Sequence, residues 1–318
     1  MRAEPPTILL IDTVPAILTQ LLEMQGWHVE PAYELNPDQV LRKFPGAKGM
    51  VIRSRFSIRE EFLKKATGLQ FIARLGAGME NIDVSAAQSV GIRCLHAPEG
   101  NRDAVAEHAL GMLLSLLNHL PRADREVRQG RWQREANRGT ELSGKTIGII
   151  GYGNMGSAFA QRLSGFGVRV LVHDTDLKTE FPPDDYRASS SLARIQEEAH
   201  VVSLHINYTQ ENHHYVNPTW LNAFEKPIYL INTARGKVLD TRALLKSIQE
   251  GKVLGACLDV LEFESLSFET LDPSAAQVLK QLMEEERVLL TPHIAGWSHE
   301  SNEKMARTLA EKIGHPTT

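Results

Sequence analysis

The sequence predicts an α/β protein built as two doubly wound parallel sheets. Three observations predict it. Short β-branched runs alternate with helix-period segments along the chain, the pattern of βαβ units. The alternation occurs in two series, before and after a long apolar helix. The 318 residues suffice for two cores, at about 100–200 residues per domain.

In the first series the strand candidates are Thr7–Ile11, Gly49–Arg53, Phe71–Leu75 and Gly91–Leu95, with helical segments such as Pro15–Gln25 and Arg59–Ala66 between them. A long helix is expected from Arg102 to Leu120, because Ala104, Val105, Ala109, Met112, Leu113 and Leu116 recur at helical spacing. Pro121 can stop it or start the next helix. The second series has strand candidates at Thr146–Ile150, Val168–Val172, Val201–Leu204, Ile228–Ile231, Gly255–Leu258 and Val288–Leu290. Six such strands with intervening helices make a complete doubly wound sheet. Glu300–Ile313 reads as a closing amphipathic helix, and Phe263–Ala275 as an inserted loop.

Composition excludes several classes. Net charge is −4 and no long basic run occurs, so no nucleic-acid surface is expected. Two cysteines, Cys94 and Cys257, each in an apolar run, read as buried free thiols rather than a disulfide framework. No charged-then-apolar leader opens the chain, and the most apolar stretch, Ala104 to Leu120, carries Glu107, His108 and His119. It is too short and polar to span a bilayer. A cytoplasmic protein with no membrane partner is expected. His213-His214 lack further ligands at sensible spacing, so no metal site is expected and a surface loop is the better reading.

Gly151-Tyr152-Gly153-Asn154-Met155-Gly156 has the spacing G-x-G-x-x-G. It follows a strand candidate and opens the helical run Ser157–Leu163, and Asp174 stands at the end of the next strand candidate. This is the dinucleotide-binding context. Gly151 allows the tight turn, Gly153 lets backbone approach a pyrophosphate, and Gly156 lets helix pack on strand. The helix N-terminus supplies N–H groups and positive dipole. An acid at 174 accepts ribose hydroxyls and repels a 2′-phosphate, which favours NAD over NADP. The competing reading, a glycine turn without a ligand, explains neither the strand, the helix nor the acid.

Each strand of this series ends in polar residues: His173-Asp174, His205, Asn232-Thr233-Ala234-Arg235, Asp259 and Thr291-Pro292-His293. Ligands of open parallel sheets bind outside the carboxyl ends of the strands, so these residues should converge on one rim. A lone arginine is usually a solvated charge, but Arg235, flanked by small residues, suits two-point grip on a carboxylate. A lone histidine is usually structural. At the end of the last strand, pinned by Pro292, the His293 imidazole suits proton exchange with a substrate hydroxyl. A carboxylate beside it would fix the ring, and Glu262 and Glu264 both qualify. At least one of them must be an ordinary loop residue.

These residues carry a resemblance to the D-isomer-specific 2-hydroxyacid dehydrogenase family, particularly its phosphoglycerate dehydrogenase branch. The matching stretches are Arg74–Asp83, Glu107–Met112, the glycine turn, Ile231–Gly236, Gly255–Val260 and Thr291–His293, in the family's order over nearly the whole chain. The resemblance implies a flavodoxin-like substrate domain (1–100 plus 293–318) and a Rossmann NAD-binding domain (101–292), with the active site in the cleft. It implies Arg235, Glu264 and His293 as the catalytic set. The cofactor set is then Gly151, Gly153, Asn154, Met155, Gly156, Asp174, His205, Thr233, Ala234 and His293, with Asp259 near the nicotinamide carboxamide. Gly76, Ala77 and Gly78 would cradle the substrate carboxylate through backbone N–H groups, and Arg53 and Arg74 would receive a substrate phosphate.

The chain departs from the family in three places. No proline follows Glu264, which keeps Glu262 a rival; Trp297 places a bulky ring after the histidine; and with the last residue at Thr318 no C-terminal regulatory domain is expected. Arg53, Arg55 and Arg74 together favour 3-phosphoglycerate and its keto acid, as in serine biosynthesis. Glycerate/hydroxypyruvate or glyoxylate is the alternative. An NAD-sensing binding protein like the C-terminal-binding-protein co-repressors is an alternative of another class. The resemblance also implies a homodimer, built on the long helix and the charged segment Arg122–Arg138.

Overall fold

The structure, a computed structural model, describes residues 5–175, 186–265 and 270–316. They fall into two compact units, one from Met1–Arg102, Ser265–Glu269 and Trp297–Thr318, the other from Asp103–Glu264 and Thr270–Gly296. Of the expected loop Phe263–Ala275, residues 266–269 lie outside the described residues.

The first unit holds a five-stranded sheet of β1 (Thr7–Leu10), β2 (His28–Pro31), β3 (Ala47–Ile52), β4 (Phe71–Arg74) and β5 (Arg93–His96). All pairs are parallel and the order is β2-β1-β3-β4-β5, the flavodoxin-like winding. The period of two sends Ile8, Leu10, Val51, Phe71 and Ala73 to one face, where Leu18 and Leu22 of helix Ala16–Met24 and Met305, Ala306 and Leu309 of helix His299–Ile313 cover them. Leu9, Ile11, Met50, Ile52 and Ile72 go to the other face, against Val40, Phe62, Leu63 and Ala87. Gly49 has no side chain because the Phe71 ring fills that space; a Cβ there would lie 2.6 Å from a ring carbon.

The second unit holds β6 (Thr146–Ile150), β7 (Arg169–His173), β8 (Arg187–Ser189), β9 (Val201–Leu204), β10 (Ile228–Asn232), β11 (Val253–Leu258) and β12 (Val288–Leu290). Its parallel order is β12-β11-β10-β9-β6-β7-β8, so winding reverses between β6 and β9. Both faces are packed, which is why these strands read as continuous apolar runs.

The sheet has a seventh strand beyond the six expected, the edge strand β8. It spells Arg-Ala-Ser with no fully buried residue, so no apolar run announces it. β2 buries only Val29 and escapes notice for the same reason. The long helix begins at Pro98 rather than Arg102 and ends at Leu117. Proline is pre-organised for a first helical turn, and the apolar periodicity starts only after that turn. His119 is left-handed (φ 53°), and the next helix, Leu120–Arg128, carries Pro121 in its first turn. Both cysteines are free, and burial pushes both thiols up from their ordinary pKa, which keeps them unreactive. Among the described residues no helix is long and apolar enough to cross a membrane, and no cluster suited to a metal ion occurs.

Candidate active site

The glycine turn sits between β6 and helix Asn154–Arg162. Gly151 has φ +91°, its N–H donates to the His173 carbonyl at 2.8 Å, and a Cβ there would lie 2.6 Å from the His205 carbonyl oxygen. A Cβ on Gly156 would strike the Gly151 carbonyl. A Cβ on Gly153 would meet nothing within 4 Å. Two glycines are thus required by the fold, and the third is required by something the fold does not contain. Gly153 is the N-cap and offers no side chain to the helix, so the Asn154 and Met155 N–H groups are left to a ligand. The Asp174 carboxylate accepts the Tyr152 N–H at 2.5 Å, which holds the acid beside the turn.

Two buried polar atoms at the same strand ends, Thr233 Oγ1 and His205 Nδ1, have no partner among the described residues. His205 Nε2 lies 2.8 Å from Ser203 Oγ, and the ring packs 5.4 Å from Phe159. Burial pushes its pKa down to about 3, so the imidazole is neutral. An open glycine, uncapped N–H groups, an acid at the next strand and unmatched polar atoms are the donor set of a dinucleotide site, and NAD fits it.

The 291–296 segment after β12 carries His293. Its backbone is left-handed, φ +56°, and its N–H donates to the Asp259 carbonyl at 2.7 Å. The Asp259 side chain, 1% exposed, takes the Thr291 hydroxyl at 2.6 Å and the Ile294 N–H at 2.8 Å on Oδ1, and the Ala295 N–H at 2.9 Å on Oδ2. His108 Nε2 lies 3.0 Å from the same threonine hydroxyl. The resemblance placed Asp259 at the nicotinamide carboxamide; its carboxylate is instead saturated by the loop that bears His293.

Glu264 Oε2 lies 2.8 Å from His293 Nδ1, while its Oε1 accepts the Leu261 N–H of its own turn. Glu262 points elsewhere. Its Oε1 lies 2.7 Å from His214 Nε2, and its Oε2 accepts the Thr241 N–H at 3.0 Å. Spacing alone left the two glutamates as rivals; each has its own histidine.

Arg235 follows β10. The buried Asn232 side chain accepts the Ala234 N–H at 3.1 Å and donates to the Arg235 carbonyl at 3.0 Å, while Arg235 Nη1 donates to the Ala234 carbonyl at 2.6 Å. Gly236 then lies so close to the Leu261–Glu262 backbone that a Cβ would come within 2.5 Å of the Glu262 nitrogen. This approach sets Arg235 beside the turn bearing Glu264.

The first unit carries the other expected residues, at the reversal between β1 and β3. Arg53 N–H donates to Asp12 at 2.5 Å, and its guanidinium lies 4.3 Å over the Trp297 ring. Burial lowers the Arg53 pKa, with Asp12 acting in the opposite sense. Arg74 differs from expectation. It is 8% exposed, and its Nε donates to the Arg53 carbonyl and to Asn81 Oδ1, both at 3.2 Å, so it is an internal strut rather than a phosphate ligand. Arg55 Nη1 donates to the Ile11 and Ala32 carbonyls. The Gly76 N–H is taken by the Arg74 carbonyl at 2.9 Å, so the expected carboxylate cradle reduces to Ala77 and Gly78.

Sequence reasoning missed Asn232, His214 and Asp12. A buried asparagine at a strand end beside Arg235 was the one signal available; the other two act through contacts that no local spacing encodes.

Comparison with known proteins adds the following. Residues 110–295 match the family model described as D-isomer specific 2-hydroxyacid dehydrogenase, NAD binding domain. The hydroxypyruvate reductase of Thermotoga maritima is 33% identical over 308 residues, 95% of each chain. The D-3-phosphoglycerate dehydrogenase of Bacillus subtilis is 34% identical over 264 residues, 83% of this chain but 48% of that protein, so the chain spans about half its length. The D-lactate dehydrogenase of Aquifex aeolicus, solved with NAD and lactic acid, superposes with a TM-score of 0.80 at 27% identity, over 96% of this chain and 94% of that one.

Two measurements probe the cofactor turn. Gly153→Ala should leave thermal stability nearly unchanged and weaken NADH binding about tenfold or more, whereas Gly156→Ala should lower stability itself, because only the latter Cβ collides with backbone. Equal NADH affinity in wild type and Gly153→Ala, by fluorescence titration, would remove the turn from cofactor binding. The His205 shift has a pH consequence. Between the folded value of about 3 and the model value of 6.5 the unfolded chain binds the extra proton, so stability falls as pH drops through that window. His205→Gln should flatten the pH dependence of the urea midpoint by about one proton, roughly 1.4 kcal/mol per pH unit; an unchanged slope would place the ring in solvent.

Proposed function

This chain belongs to the D-isomer specific 2-hydroxyacid dehydrogenase family, whose members are NAD-dependent oxidoreductases, and we propose that it interconverts hydroxypyruvate and D-glycerate. The observation that carries the chemistry is the Glu264–His293 pair, 2.8 Å apart at the carboxyl edge of the sheet that holds the glycine turn. Bound NADH supplies the hydride for the keto carbon. His293 delivers the proton to the substrate oxygen from Nε2, because Nδ1 is held by Glu264. Arg235 grips the carboxylate and stabilises charge developing on the same oxygen. Asp259 and Asn232 hold these groups still before substrate arrives. Asp174 takes the ribose hydroxyls, Thr233 and the Asn154 and Met155 N–H groups take polar atoms of the cofactor, and Ala77 and Gly78 offer N–H groups to an anion.

The choice of an unphosphorylated acid rests on the arginines. A phosphate site needs several cations or N–H donors converging on it. Arg74 is buried on carbonyl and amide partners and Arg55 is spent on two carbonyls, which leaves Arg53. The hydroxypyruvate reductase relative also matches over its whole length. The phosphorylated reading, 3-phosphoglycerate and its keto acid, keeps one specific support: Arg53 remains partly exposed on the Trp297 face. Leu120, Val127 and Trp132 are exposed, which suits a two-fold contact and a homodimer; a monomer in sedimentation equilibrium would remove that part.

Steady-state assays with NADH decide between the acids. The expected result is a kcat/KM at least tenfold higher for hydroxypyruvate than for phosphohydroxypyruvate; the reverse order would establish Arg53 as a phosphate ligand. His293→Ala should lose about 10²–10⁴-fold in kcat while NADH affinity holds. Wild-type turnover in that variant would take His293 out of the mechanism.

A further inference from the structure

We propose that Glu262 and His214 form a second glutamate–histidine pair that positions the catalytic groups without touching substrate. The proposal rests on Arg235, Glu264 and His293 being the catalytic set.

The pair is built into the interior of the second unit. The carboxylate side chain is 13% exposed and the imidazole 32%, with 2.7 Å between them. Both ends are tied to backbone. The His214 N–H donates to the Lys237 carbonyl at 3.0 Å. Glu262 Oε2 accepts the N–H of Thr241, the first residue of helix Thr241–Gln249. Asp240 already caps that helix through the Arg242 and Ala243 N–H groups, so Glu262 satisfies the next orphan donor and fixes its own direction in doing so.

Three stretches distant in sequence therefore meet on one carboxylate: the 205–217 loop through His214, the 235–241 segment through Thr241, and the 259–264 segment through Glu262 itself. The last two are the segments that carry Arg235 and Glu264. They touch again where Gly236 meets the Leu261–Glu262 backbone. The turn from Leu261 to Glu264 is short, and the Glu264 N–H donates back to the Leu261 carbonyl at 3.2 Å. Rotation of residue 262 is thus transmitted to Glu264 and so to His293.

The backbone of His214 supports this reading. Its φ is +51°, a left-handed conformation costly for a residue with a Cβ. The His213 ring stacks on it at 4.0 Å, which holds the imidazole plane toward Glu262. A histidine kept in an unfavourable backbone state by two contacts is held for its ring.

The test uses four variants of the full chain, assayed for kcat and KM with NADH and hydroxypyruvate, for NADH affinity, and for melting temperature. Glu262→Ala and His214→Ala should each lower kcat about tenfold, with NADH affinity unchanged. The double variant should be no worse than either single one, because both remove the same contact. Glu262→Gln keeps both hydrogen bonds and should recover kcat to within about threefold of wild type. His214→Ala leaves the Thr241 cap intact, so it reports even if Glu262→Ala folds poorly. Wild-type kcat in His214→Ala, or losses in NADH affinity and melting temperature that match the loss in kcat, would overturn the proposal. His293→Ala, run in parallel, separates the two levels: if that variant keeps turnover, the catalytic set is wrong, whereas its loss with an unaffected His214→Ala rejects the positioning pair alone.

Discussion

The buried carboxylate of Asp259 is the constraint on which the second unit's chemistry depends. A carboxylate at 1% exposure is tolerated only when donors replace the water it has lost. Thr291, Ile294 and Ala295 supply three, all from the segment that carries His293, and the Asp259 carbonyl takes a fourth bond from His293 itself. The loop has little freedom to place that imidazole elsewhere. The left-handed backbone at His293 follows from this: a strained conformation, worth about 1–3 kcal/mol, persists where the surroundings over-determine it. The strain is held by the saturation of one charge, and the benefit appears as a fixed donor direction at the ring.

The same economy governs Arg235. Asn232 closes the turn from within, and the Asp259 N–H donates to the Asn232 carbonyl at 3.0 Å. The arginine turn and the histidine loop are thereby adjacent through consecutive parallel strands, β10, β11 and β12. Parallel pairing places every strand's carboxyl end on one edge. Groups separated by some 60 positions in sequence reach one rim because the sheet registers them, and local spacing has no part in it.

Much of this was legible in the chain, and the boundary between legible and illegible is physical. Strands buried on both faces announce themselves as apolar runs, so β6, β9 and β12 match their expected ends, whereas the edge strands β2 and β8 lack the apolar signal. The glycine turn was readable because each glycine answers a local steric demand. Residues that act by long-range contact were not. Asp259 was visible as an acid at a strand end, yet its partners lie some 30 positions away, and nothing nearby distinguishes a carboxylate turned to a ligand from one turned to a loop. Arg74 misled for a related reason. An arginine at the end of a parallel strand is a fair candidate for an anion site, and only the 3.2 Å bonds to Arg53 and Asn81 reveal that it braces the backbone from inside.

Arg53 shows what that bracing achieves. Its N–H is held by Asp12, its carbonyl by Arg74 and Asn81, and its guanidinium by the indole of Trp297. Two cations, Arg53 and Arg74, thus play opposite parts within one unit: the buried one fixes backbone so that the partly exposed one holds its direction. Counting arginines therefore overstates the positive charge available to a ligand. A guanidinium whose donors already face carbonyls contributes rigidity, and the net recognition of an anion falls to the groups whose hydrogen bonds the fold has left unmade. By that criterion the first unit presents one stacked guanidinium and two backbone N–H groups, a set matched to one compact carboxylate better than to a carboxylate and a phosphate together.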